Sequence, residues 1–110
     1  MGRGVREVNM EEIKLTVHPF EMGTPKEAAL KPLEEASEVH GAWQMLLGTE
    51  IVEGRESVMY RAWRSMLADE IADVIQAACN LAARYDIDLD SAMRRCEERN
   101  RDRGRYPLSD

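Results

Sequence analysis

A chain of 110 residues allows one domain and buries only a modest core when folded alone. Aromatic residues make up 5% and charged residues 33%, with Ala, Leu, Met, Glu and Arg prominent, a mixture that favours packed helices over a sheet and places the chain in the all-α class. The net charge of −6 argues against a general nucleic-acid coat, no apolar run approaches ~20 residues, and the opening "MGRGVREVNMEE" lacks a signal-peptide core. The chain therefore reads as soluble and cytoplasmic, with neither a membrane nor polymeric nucleic acid as partner.

Residues 1–23 read as an N-terminal arm, in which "IKLTVHPF" alternates Ile13, Leu15 and Val17 with polar residues until Pro19 interrupts the extended period. Such an arm suits packing against a partner subunit. In "TPKE", Thr24 can cap a helix, Pro25 suits its first position and Glu27 completes a capping box. A first helix is predicted from Pro25 to Leu47, with Pro32 as a bend or a break within it, and Gly48 and Gly54 in "GTEIVEGRES" predict a loop. A second helix is predicted from Val58 to Tyr85, with Trp63, Leu67, Ile71, Val74, Ile75, Ala78, Leu81 and Ala82 on one stripe. A third follows "DIDLD", capped by Asp88 or Asp90, and runs to Arg103 before Gly104 and Pro107 stop it. The helical domain thus spans residues 24–107, with a short tail at 108–110. Cys79 and Cys96 fall at apolar helical positions, lack a Cys or His partner at zinc spacing, and read as reduced, buried thiols.

The acids are the informative feature. On a wheel of ~100° per residue, Leu33, Ala36, Val39, Trp43 and Leu47 share one sector of the first helix. Glu34, Glu35 and Glu38 form the adjoining sector, with Glu35 nearest the apolar border. In the second helix Glu70 lies inside the apolar sector, between Trp63 and Ala77, and Asp73 sits at its edge one turn on. A single helical Glu is ordinarily solvated, but an acid aimed at a core needs a partner. Packed together, the two helices would converge Glu35, Glu38, Glu70 and Asp73, whose mutual repulsion protons or metal must neutralise. All-oxygen ligation suits Mg²⁺ or Mn²⁺. A di-iron bundle would need Glu-x-x-His on two helices, and neither His18 nor His40 stands in that relation to a Glu. The acids of "DIDLDSAMRRCE" imitate a calcium loop, yet Ser91 replaces the turn-making Gly and Arg94 and Arg95 fall within it, so helix capping explains them better.

On the third helix the stripe Leu89, Ala92, Met93 and Cys96 is continued by Arg99, Asn100 and Arg103, so an apolar seam turns cationic near the helix end. Arginine forks bind phosphate oxygens well, and arginines at a helix C-terminus are also favoured by the dipole alone. Trp43 and Trp63 could stack on a base, but both fit the core stripes. Asn80, two turns beyond Asp73, could reach a sugar or stand in solvent.

"EEASE" followed by "EIAD" is a Glu-Glu-x-x-Glu … Glu-x-x-Asp signature, and with "ADEIADVIQAACNLAARYDIDLDSAM" and "RNRDRGRYP" the chain resembles the all-α nucleoside triphosphate pyrophosphohydrolases of the MazG, dCTP pyrophosphatase and dimeric dUTPase superfamily. The likeness spans residues 25–107. It implies a helical bundle completed by oligomerisation as a dimer or tetramer, and Mg²⁺-dependent hydrolysis of an NTP or dNTP to the monophosphate and pyrophosphate. By motif position Glu35, Glu38, Glu70 and Asp73 would be metal ligands, and Glu34 would orient or deprotonate the attacking water. Lys31, Arg99 and Arg103 would stabilise the leaving pyrophosphate, with Asn100 hydrogen-bonding to phosphate or sugar. Relatives of the dCTP pyrophosphatase type place an aromatic where this chain has Gln76, and their tail is spaced more tightly, which leaves the base open. Hydrolysis of a guanosine polyphosphate is the nearest alternative, and a non-enzymatic helical interaction module the alternative of a different class.

Overall fold

The computed structural model describes residues 11–107; residues 1–10 of the expected arm and the tail 108–110 lie outside the described residues. The described chain is all-helical, with α1 Pro25–Glu53, α2 Val58–Arg84 and α3 Leu89–Asp102 and no strand. No helix among the described residues is long and apolar enough to cross a membrane.

α1 begins as its sequence dictates: Thr24 is extended, its Oγ1 accepts from the Glu27 N–H at 3.2 Å, and Pro25 opens the first turn, where its missing N–H costs nothing. Pro32 does not break the helix, which continues through it to Glu53. The helix also runs past the expected end at Leu47 and through Gly48, so most of the predicted loop is helical. One glycine in an otherwise helical run costs only about 1 kcal/mol, and the actual stop is Gly54, whose φ of +83° a side chain would resist and whose N–H donates to the Glu50 carbonyl. The connection that remains, residues 54–57, is short enough to fold α2 back along α1.

Ser57 caps α2, accepting from the Tyr60 N–H at 2.9 Å. At its other end the Asp86 N–H donates to the Ala83 carbonyl and the Ile87 N–H to the Ala82 carbonyl, a Schellman closure. Asp86 takes the left-handed position at φ +53° that glycine usually fills. Asp88 then caps α3 by accepting from the Ser91 N–H at 3.0 Å, which gives the acids of "DIDLD" their capping role.

α1 and α2 form the extensive helix–helix interface of the described chain, and α3 packs broadly on neither. The interface uses small residues. The buried positions of α1 are Ala28, Glu35 and Ala42, seven apart, and those of α2 include Tyr60 and Ala77, while the apolar stripe expected to form α1's core face is outward: Leu33 is 69% exposed and Trp43 45%. Close approach of two helix backbones at alanines explains the inversion, because the large side chains are then displaced to the flanks. Among the described residues no large side chain is fully buried, and the Cα radius of gyration of 17.2 Å exceeds the about 13 Å of a compact chain this long.

The arm is held by its own chain. The Phe20 N–H donates to Asn80 Oδ1 at 2.9 Å, Gln76 Nε2 donates to the His18 carbonyl at 3.1 Å, and Arg84 Nη1 donates to the Gly23 carbonyl at 3.3 Å. These bonds clamp residues 18–23 to the C-terminal half of α2 beside the start of α1. A cavity of about 500 Å³ lies between them, lined by Phe20, Met22, Ala28, Asn80 and Arg84 among others.

Candidate metal centre

Glu35 and Glu38 stand one turn apart on α1, and Glu70, seven residues before the buried Ala77 of α2, meets them across the α1–α2 interface. Glu35, Glu38 and Glu70 each bring one carboxylate oxygen within 4.8 Å of the others. Glu35 is 8% exposed, Glu70 half-buried and Glu38 exposed, so the group opens to solvent on the Glu38 side.

Carboxylates this close cannot all ionise without a counter-charge. Glu38 shows the strain: hydrogen bonding to Glu70 and then to Glu35, with the repulsion of their charges, pushes its carboxyl up from 4.5 to about 7. Glu70 Oε2 is buried and accepts no hydrogen bond from the protein, an oxygen open to a water or a cation. Lys31 supplies a flanking positive charge, with Nζ 3.2 Å from Glu35 Oε1 and 3.6 Å from Glu34 Oε2, and its pKa is raised mainly by the hydrogen bond to Glu35 and then by that group's charge.

The structure thus gathers three of the four expected ligands. Asp73, on a shorter side chain one turn beyond Glu70, is exposed and outside the group. Glu34 points to solvent beside Lys31. Asn80 is 4% exposed, its Oδ1 is taken by the Phe20 N–H and by Gln76 Nε2, and it lines the cavity beside the arm. On α3, Asn100 is occupied by the returning tail: Arg105 Nη1 donates to its Oδ1 at 3.2 Å, and its Nδ2 donates to Tyr106 Oη at 3.3 Å. Arg99 and Arg103 are exposed, and among the described residues neither forms an ion pair with an acid.

Two features escaped the sequence reading. Lys31 stands three and four residues before Glu34 and Glu35, a spacing that signals ion pairing as clearly as phosphate binding. The clamp of Gln76 and Asn80 on the arm joins residues some 60 positions apart, which no local pattern announces. Neither a protein-family model, nor a curated protein, nor a solved structure matches the chain.

Proposed function

We propose that the chain is a metal-dependent nucleotide pyrophosphohydrolase of the MazG-like type, hydrolysing an NTP or dNTP to the monophosphate and pyrophosphate. The observation that carries this reading is the convergence of Glu35, Glu38 and Glu70 from two helices, with one buried Glu70 oxygen lacking any donor. Such a set of hard oxygen donors, open on one side, fits Mg²⁺ or Mn²⁺. Glu35, Glu38 and Glu70 would hold the ion, with Asp73 the fourth carboxylate of the motif. When bound, the metal polarises phosphoryl oxygens and acidifies water.

The chain's own groups supply the rest. Glu34, solvent-facing beside the ligands, would take the proton of the attacking water. Lys31, Arg99 and Arg103 would neutralise charge on the departing pyrophosphate, and Asn80 and Asn100 would hydrogen-bond the nucleotide. Since α3 packs broadly on neither α1 nor α2, its arginines would reach the acids of a neighbouring copy in a dimer or tetramer. The outward stripe of Leu33, Trp43 and Leu47 supports that assembly, since apolar surface of this extent favours a partner. The same stripe favours the second reading, a helical interaction module without catalysis.

Pyrophosphate release from a panel of canonical and modified NTPs and dNTPs, with Mg²⁺, with Mn²⁺ and with chelator, separates the two. Chelator-sensitive formation of monophosphate and pyrophosphate is expected. Folded protein that releases no pyrophosphate from any nucleotide contradicts the enzyme reading, and hydrolysis confined to guanosine polyphosphates would redirect it.

A further inference from the structure

We propose that Lys31 is a built-in competitor for the metal centre: its ammonium and a divalent cation share Glu35, so that metal loading releases Lys31 from the acids and frees its charge for phosphate. This inference rests on the metal-site reading above. Lys31 precedes Glu35 by one turn of α1, and its Nζ lies 3.2 Å from Glu35 Oε1. Glu35 is also a member of the group whose oxygens lie within 4.8 Å of one another, so one carboxylate serves both the ammonium and the cluster.

Burial makes the sharing consequential. The Glu35 side chain is 11% exposed, so little water screens it, whereas the Lys31 side chain is 38% exposed and its stem is flexible enough to swing outward. Among the described residues Lys31 is the cation within ion-pair distance of any of the three clustered acids. A divalent ion that satisfies the orphaned Glu70 oxygen draws Glu35 toward Glu38 and Glu70 and weakens its hold on the ammonium. The acid pairing seen in the structure and the phosphate contact expected from the sequence are then two successive states of one positioning residue. Coupling is reciprocal, so whatever Lys31 costs the metal, the metal costs the Lys31–Glu35 pair.

The test is Mn²⁺ binding by calorimetry at fixed pH and low salt to the wild-type chain, Lys31→Met, Lys31→Gln and Lys31→Arg. Both neutral variants are expected to bind Mn²⁺ about 10-fold more tightly, while Lys31→Arg, whose fork grips carboxylates at least as firmly, keeps wild-type or weaker affinity. In turnover, the neutral variants should need less metal for half-maximal rate yet show a higher nucleotide KM. An ordinary surface pair of this spacing predicts a change of about twofold or less, and that result in a wild-type chain that binds Mn²⁺ overturns the competition alone. Absence of Mn²⁺ binding in the wild type and in every variant overturns the metal-site reading and the competition together.

Discussion

α1 and α2 differ from α3 in what holds them. The first two pack along their length, so residues distant in sequence, Glu35 and Glu70, come within a few ångströms. α3 is secured by bonds among near neighbours: Tyr106 Oη donates to Glu97, Arg105 to Asn100, and Arg95 to Ser91. The proposed metal ligands are therefore assembled within one chain, while the arginines proposed to meet phosphate stand on a helix that makes no extensive contact with another among the described residues. Convergence of charge needs long-range packing, and a helix whose contacts are local can contribute only to a surface brought to it.

The sharpest break in that comparison is Glu70→Gln. It removes a proposed ligand from the packed pair with little change in volume, and the proposed turnover should fall by about 100-fold while far-UV circular dichroism stays unchanged. Arg103→Ala should also lower turnover, through α3. If α3 serves a neighbouring copy, mixing the two impaired variants should give more activity than the sum of the two alone; a mixture no better than that sum would argue against a shared site.

Asn80→Ala probes the other end of the same packed pair. It leaves the Phe20 N–H without its partner in a part-buried setting, which should cost about 1 kcal/mol and speed hydrogen exchange at Phe20. Unchanged exchange there would show that the arm is held by other contacts.

A smaller effect belongs to Glu38, whose carboxyl is pushed up to about 7 chiefly by hydrogen bonding to Glu70. The folded chain then binds a proton that the unfolded chain has lost, so this stabilisation is full below pH 4.5 and disappears as pH rises through 7. Melting curves of metal-free protein should show Tm declining across that window, with the decline reduced in Glu38→Gln and offset by Mg²⁺. A Tm insensitive to Glu38→Gln at every pH would contradict the raised carboxyl. The smallest change is Asp86→Gly, which relieves a left-handed backbone and should stabilise by at most about 1 kcal/mol, read from denaturant midpoints.

The helix caps at Thr24 and Asp88 and the inward aim of Glu70 were legible, because capping and seven-residue spacing are local facts. The end of α1 was misread, since Gly48 and Gly54 are the same letter and only the backbone angle at Gly54 distinguishes the stop. The wheel found the acidic sector but chose the wrong packing face: it weighs side-chain size, whereas the interface selects Ala28 and Ala42 for close approach. The position of Asp73 outside the three-acid group depends on side-chain reach, and the clamp on the arm depends on tertiary contact, so neither was readable from the sequence.

The most direct measurement is anomalous diffraction from crystals of the protein grown with Mn²⁺. The account predicts a manganese peak ligated by Glu35, Glu38 and Glu70, with Lys31 moved off Glu35. Manganese bound elsewhere, or no peak while the three carboxylates hold one another through shared protons, would contradict it.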